Sequence, residues 1–305
     1  MPADSPGLHH VTSLVADAQD SVDFYTGVLG LRLVKHTVNQ KDMLTRHLFY
    51  GNEAGEPGTV YTCFPYPNEV PARPGKPSVP AAMFAVPRGS LDFWRDRLDD
   101  HDISHETRER LDETALRFAD PAGTTLELVA AESPVEPWAA TVPDEHAIRG
   151  FHGVTTLPAD PYATASTLET FGFALDAEDG DRVRYRAPGD RATVVDVLNR
   201  EAGYGREGVG SIQHVALRVP GRDDLMDYHD LLRERDLRVS RIRDRRYFES
   251  LYVRDPGGIL WELATETPGY TLDEPRSDLG GSFVLPEFFA DDRDLIESQL
   301  PDLET

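Results

Sequence analysis

The chain has 305 residues and a formal net charge of −23, with 54 acidic side chains against 31 basic ones. That balance argues against nucleic acid and anionic membrane surfaces as partners, because both require basic patches. An apolar fraction of 39% is ordinary for a soluble globular protein, and no run approaches the roughly 18 apolar residues of a membrane span. Residues 1–7 have neither a basic nor an apolar leader region, so no signal peptide is expected. The single cysteine, Cys63, excludes an intrachain disulfide and fits a reducing cytoplasm. Lys35, Lys41 and Lys76 are the only lysines, and the remaining basic residues are arginines. An acidic, lysine-poor composition of this kind is expected of a salt-accumulating halophile.

In chain order, 8–15 reads as a strand and 17–29 as a helix begun by Asp17, with Val22, Tyr25 and Leu29 inward and Gly30 at its end. Three β-prone runs follow at 31–39, 45–50 and 59–64, which makes a βαβββ unit. Six prolines between Pro65 and Pro80 mark a linker. A second unit has a strand at 81–86, a helix at 90–100 and strands at 115–119 and 124–129. Residues 131–147 form the longest connection. The third unit opens at 149–157, takes a helix over 161–171 and has strands at 173–177, 182–187 and 192–198. Glycine-rich 203–210 precedes the fourth, with a strand at 212–219, a helix at 222–235 and strands at 237–243, 247–253 and 259–264. The spacing predicts two domains, 1–140 and 141–267, and a tail at 268–305 with no counterpart elsewhere. The apolar residues of that tail, Phe283 to Phe289, suit either a cover over the body or a dimer contact.

Two phrases repeat. Asp255-Pro256-Gly257-Gly258-Ile259-Leu260-Trp261-Glu262 matches Asp120-Pro121-Ala122-Gly123-Thr124-Thr125-Leu126-Glu127, and Leu8-His9-His10-Val11-Thr12 matches Phe151-His152-Gly153-Val154-Thr155. A glutamate inside an apolar strand is costly unless it meets a cation, and a metal ion is one such charge. Four βαβββ units in two tandem pairs, an α+β fold of open barrels, resemble the vicinal-oxygen-chelate superfamily. That superfamily includes glyoxalase I, bleomycin-resistance proteins and extradiol dioxygenases, and its paired units surround a metal or ligand.

The opening strands offer His10, His152 and His214, and the closing strands offer Glu127 and Glu262. The first and fourth units supply His10, His214 and Glu262, which would form a facial triad of the kind used by non-haem Fe(II) oxygenases. His152, His214 and Glu262 fit the spacing equally well. Glu127 with His152 is an incomplete set and is expected to be structural. His9 and His10 are strand neighbours with side chains on opposite faces unless a bulge intervenes, and His47, His101, His105, His146 and His229 read as packing or surface residues.

A closer resemblance covers almost the whole chain. Leu8-His9-His10-Val11-Thr12, Gly30-Leu31-Arg32-Leu33-Val34-Lys35, Gly89-Ser90-Leu91-Asp92-Phe93-Trp94, Ile148-Arg149-Gly150-Phe151-His152-Gly153 and Asp244-Arg245-Arg246-Tyr247-Phe248 are similar to motifs of the ring-cleaving hydroquinone dioxygenases. The resemblance selects His10 over His152. It implies Fe(II), with Mn(II) as the other candidate, an aromatic diol and O2 as substrates, and Thr12, Arg245, Tyr252 and His9 around the metal. Gln213 stands where such relatives commonly carry a histidine. The rival expectations are a metal-free binding protein of the bleomycin-resistance class and a glyoxalase-type isomerase or lyase. A homo-oligomer is compatible with all three.

Overall fold

The computed structural model describes residues 2–305. Four modules follow one another, each a strand, a helix and three further strands. The first holds β1 (Leu8–Val15), α1 (Ala18–Val22), β2 (Arg32–Asn39), β3 (Asp42–Gly51) and β4 (Val60–Pro65). The second holds β5 (Ser78–Val86), α2 (Leu91–Asp100), β6 (Glu106–Arg110), β7 (Glu113–Ala119) and β8 (Thr125–Ala130). The third comprises β9 (Phe151–Leu157), α3 (Pro161–Thr170), β10 (Ala174–Asp179), β11 (Arg182–Arg186) and β12 (Val194–Leu198). The fourth comprises β13 (Ser211–Val219), α4 (Arg222–Glu234), β14 (Arg243–Asp244), β15 (Glu249–Arg254) and β16 (Leu260–Thr265).

In every module the last strand returns parallel to the first and the strands between run antiparallel. The modules then combine into two eight-stranded sheets, ordered β14-β15-β16-β13-β1-β4-β3-β2 and β10-β11-β12-β9-β5-β8-β7-β6. Each sheet curls into a half-barrel, giving the expected α+β arrangement of four βαβββ modules. The seams are antiparallel, β1 against β13 in one sheet and β5 against β9 in the other. Each sheet therefore takes one module from each half of the chain.

The repeated Asp-Pro-x-Gly phrase explains how modules dock. Gly123 and Gly258 both sit at φ +92°, a conformation that side chains disfavour. The buried Asp255 carboxylate accepts from Ile259 N (2.9 Å), Trp261 Nε1 (3.0 Å) and, on the preceding module, Thr164 Oγ1 of α3 (2.8 Å). Asp120 does the same, accepting from Thr124 N (2.7 Å) and from the hydroxyl of Tyr25 in the first module (2.8 Å). Tyr25 is itself stacked between Tyr50 and Tyr61 in the core.

Several expectations shift in detail. The helix expected over 17–29 is capped by Asp17 but widens to a π-helical turn over Asp23–Val28. β6 was not foreseen, because every one of its residues is polar. The strand expected at 237–243 reduces to an isolated bridge between Val239 and Val253 and the two-residue β14, since this arginine-rich edge faces a cavity rather than a partner strand. The tail lies on the body: Leu285, Ile296 and Leu300 pack with Val38 of β2, and His36 bridges Phe283. Among the described residues no helix is long and apolar enough to cross a membrane.

Replacing Asp255 with alanine should lower stability by about 3 kcal/mol, because three buried donors lose a charged acceptor. Urea denaturation of Asp255→Ala would show it as a lower midpoint, whereas an unchanged midpoint would mean that the turn does not hold the modules.

Candidate metal centre

Three adjacent strands, β16, β13 and β1, bring the site together. Their register sets Glu262 beside Ala216, Ala216 opposite His10, and His214 opposite Thr12. Alternation along β13 puts His214, two residues from Ala216, on the face that carries Glu262 and His10. His10 Nε2 is 3.3 Å from His214 Nε2 and 3.1 Å from Glu262 Oε2, and His214 Nε2 is 2.9 Å from the same oxygen. All three residues are buried. Among the described residues this is the one group of three such side chains able to hold a metal ion.

The hydrogen bonds behind the triad fix its protons. His9 Nε2 lies 3.2 Å from the carbonyl of Thr265, which can only accept, so the proton is on Nε2 and Nδ1 is a bare acceptor. His10 Nδ1, 2.9 Å away, donates to it and leaves the His10 Nε2 lone pair aimed into the site. His214 Nδ1 donates to Gln213 Oε1 at 2.7 Å, with the same consequence. Burial, then His10, lowers the His9 pKa to about 3, which keeps it neutral in this role. The two histidines can sit side by side because β1 is bulged: Leu8 pairs Leu217 while His10 pairs Ala216.

Two imidazole lone pairs and a carboxylate thus converge with no proton between them, and neither Glu262 oxygen receives a hydrogen bond. Burial pushes the Glu262 carboxyl up, but wherever His10 or His214 is protonated its charge outweighs burial and holds that carboxyl well below the usual range. Such a cluster needs a cation at its centre. An octahedral face with bonds of about 2.1 Å has edges of about 3.0 Å, close to the three distances observed. The donor set fits a divalent ion with three positions left open.

Those positions face a cavity of about 310 Å³. Phe248 lies against His10 (5.3 Å between centroids), and Tyr252 meets the edge of His214 (5.4 Å). Arg245 donates to Gln40 Oε1 (3.0 Å) and Tyr252 Oη (3.2 Å). Burial, then Glu262, raises the Tyr252 hydroxyl well above its ordinary pKa, with Arg245 opposing. Thr12 Oγ1 lies 3.0 Å from His214 Nε2 and 2.8 Å from Thr62 Oγ1.

Thr12, Arg245, Tyr252 and His9 are therefore all grouped around His10, His214 and Glu262. His47, which the sequence suggested was a packing residue, also lines the cavity. It is sandwiched between Phe49 (3.9 Å) and Phe64 (4.1 Å), with Nε2 3.1 Å from Thr62 Oγ1. The signal that could have found it is strand alternation, which puts His47 and Phe49 on one face of β3, with Phe49 opposite Thr62.

His152 lies in the other sheet, 3.0 Å from Glu113, and does not approach His214 or Glu262. Glu127 is paired with Arg110, and Asp196 binds Arg182 and Arg184 at 2.7 Å each. The second half-barrel thus fills the equivalent space with arginine–carboxylate pairs.

The family model of the Glyoxalase/Bleomycin resistance protein/Dioxygenase superfamily matches residues 7–128 and 158–263. The "Putative ring-cleaving dioxygenase MhqO" of Bacillus subtilis is 38% identical over 297 residues, spanning 96% of this chain and 95% of that one. The chlorohydroquinone/hydroquinone 1,2-dioxygenase of Sphingobium indicum is 34% identical, over 92% of this chain and 91% of its own. Among solved structures, that of a "putative dioxygenase" from Bacillus subtilis superposes with a TM-score of 0.96 at 38% identity, covering 99% of this chain and 98% of the other.

The proton bookkeeping yields a test. His9→Gln keeps an acceptor for His10 Nδ1, as Gln213 does for His214, and should retain metal affinity. His9→Leu removes it and should weaken affinity about 10–100-fold, as measured by competition with a chelator. Equal affinities for the two variants would show that His9 does not orient the ligand.

Proposed function

Because this chain belongs to the glyoxalase/bleomycin resistance protein/dioxygenase superfamily, we propose that it is a non-haem dioxygenase that opens the ring of an aromatic diol, with His10, His214 and Glu262 holding Fe(II). The observation carrying this reading is the proton-free convergence of those three donors on a cavity lined by aromatic rings. Mn(II) satisfies the same donors, and hydroquinones are favoured over catechols by the kinship with the Sphingobium enzyme.

When bound, the cation would supply Lewis acidity to a ring hydroxyl and a route for electrons to O2. The reaction breaks one ring C–C bond. The two oxygen atoms of O2 end on the two carbons it joined, one becoming a carboxylic acid and the other an aldehyde or ketone. Phe49, Phe64 and Phe248 supply flat apolar walls that orient the ring and limit water. Arg245, a permanent cation held by Gln40, faces a phenolate on the substrate and the carboxylate of the product. Tyr252 keeps its proton and donates it to an oxygen lodged between Arg245 and the triad.

A path exists for the proton that the diol loses. Thr12 Oγ1, beside His214, passes it to Thr62 Oγ1 over 2.8 Å, and Thr62 passes it to His47 Nε2 over 3.1 Å. Burial holds His47 well below its ordinary pKa, with His10, His214 and Arg245 acting in the same direction and Glu262 opposing. His47 is therefore neutral, with an imidazole nitrogen able to accept from Thr62.

Two experiments test the proposal. After anaerobic loading with Fe(II), O2 uptake should follow addition of hydroquinone or methylhydroquinone, assayed in high salt. Uptake should vanish in His10→Ala and survive in His152→Ala. A protein that binds one metal per chain yet consumes no O2 with any diol would refute the activity. His47→Phe preserves the aromatic sandwich and removes the base, so kcat should fall about 100-fold or more with metal content unchanged. A wild-type kcat in that variant would eliminate the proton path.

A further inference from the structure

The linkers that follow β4 and β12 run beside one another, bridging at Pro71 with Val209, Arg73 with Arg206 and Lys76 with Tyr204. Together with the turns at 122–125 and 258–260 they enclose a second cavity of about 450 Å³. Its wall carries Arg73, Arg117, Arg200, Arg206 and Arg254, against a single acidic residue, Glu207. In the chain as a whole acids outnumber bases 54 to 31. This wall inverts that ratio.

The arginines are anchored without being neutralised. Arg73 Nε donates to the carbonyl of Tyr204 (3.0 Å), Arg206 Nη2 to that of Pro71 (3.1 Å) and Arg254 Nη1 to that of Gly258 (2.7 Å). A carbonyl fixes the direction of a guanidinium but leaves its full charge available to a ligand. Arg117 and Arg200 have only loose carboxylate partners, Glu106 and Asp181, each at 3.8 Å.

The second cavity touches the first. Gln213 and Leu260 line both, so one face of this wall is the residue that orients His214. The pocket has forked donors at several points around a volume that suits a small molecule.

We propose that this second cavity binds a small organic carboxylate that carries a second oxygen group, and that its ligand is the ring-opened acid, with one carboxylate and one aldehyde or ketone, formed on the other side of Gln213. The carboxylate site stands on its own observations, and only the identity of the ligand rests on the dioxygenase reading. The site would receive product without competing for the metal.

Isothermal titration at constant ionic strength tests this with cis,cis-muconate and maleate as probes, the second carboxylate of each standing in for the carbonyl group of the product. Both should bind the metal-loaded protein. Arg117→Ala and Arg254→Ala should each weaken binding about tenfold or more, while Arg222→Ala, on α4 and remote from the cavity, should change nothing. Glu207→Gln removes the opposing charge and should tighten binding, a gain that a structural defect would not produce. His10→Ala should keep the dicarboxylate. Failure of either probe to bind, indifference to Arg117 and Arg254, loss of binding in His10→Ala, or equal affinity for inorganic phosphate would each overturn the proposal. Muconate binding in a protein that consumes no O2 would retain the carboxylate site while rejecting the dioxygenase function.

Discussion

The antiparallel seam between β1 and β13 is the constraint on which the site depends. It joins the first module to the fourth, and only through it do His10 and His214 come within 3.3 Å. The seam is also irregular at the right place. A regular ladder would turn His9 away from His10, whereas the bulge lets one ring accept the other's proton. The lone pair that faces the centre of the triad is therefore a consequence of backbone register. Side-chain choice alone would not produce it.

The second sheet shows what the same architecture becomes when its donors are lost. The position related by the repeat to His214 is Ala81 on β5, and the repeat partner of Glu262 is Glu127. A buried carboxylate without a metal still needs positive charge, and here Arg110 supplies it to Glu127. Asp196 is held by Arg182 and Arg184, while Arg184 and His152 meet Glu113, whose carboxyl is held down to about 2 by those two partners against the effect of burial. Three arginines against three carboxylates leave no net negative charge to attract a cation. One half-barrel is thus built to bind an ion, and the other supplies its own cations.

Much of this was legible in the sequence because each repeated phrase has one physical meaning. Asp-Pro-x-Gly specifies a turn, and the glutamate seven residues after the aspartate marks the closing strand in both halves. Donor chemistry left two unions open, first with fourth through His10 and third with fourth through His152, and the family resemblance selected the first. Strand alternation groups His47 with Phe49, but it does not give the role of His47. Between Arg46 and Leu48 it looks like any strand histidine, and its role depends on β4 lying between β3 and β1 so that Thr62 can touch both His47 and Thr12. Bulges and cavity walls are products of pairing between distant segments, and local pattern does not encode them. The role of Gln213 was half legible. Its lack of a titratable proton could be read directly, but that its oxygen takes the place of His9's acceptor nitrogen required the geometry.

The tail shows how a segment without a repeat partner can still shape the site. Asp273 and Glu274 pair with Lys35, a lysine with no exposed surface, and this fastens the tail to β2. The same Asp273 accepts from Arg246 Nε (2.8 Å) and from the hydroxyl of Tyr247 (2.9 Å). Arg246 is held at φ +73°, a left-handed conformation unfavourable to a residue with a side chain. Arg245 on one side of it and Phe248 two residues beyond both face the metal cavity. A strained residue between two site residues persists only if its surroundings hold it, and the bonds to Asp273 and from Arg246 N to Asp244 (2.6 Å) do so. The tail contributes Pro286 to the cavity wall but no metal ligand. Its larger effect is on the loop that aims the arginine. Lys35, buried and remote from the triad, thereby belongs to the support of the site as much as to the core.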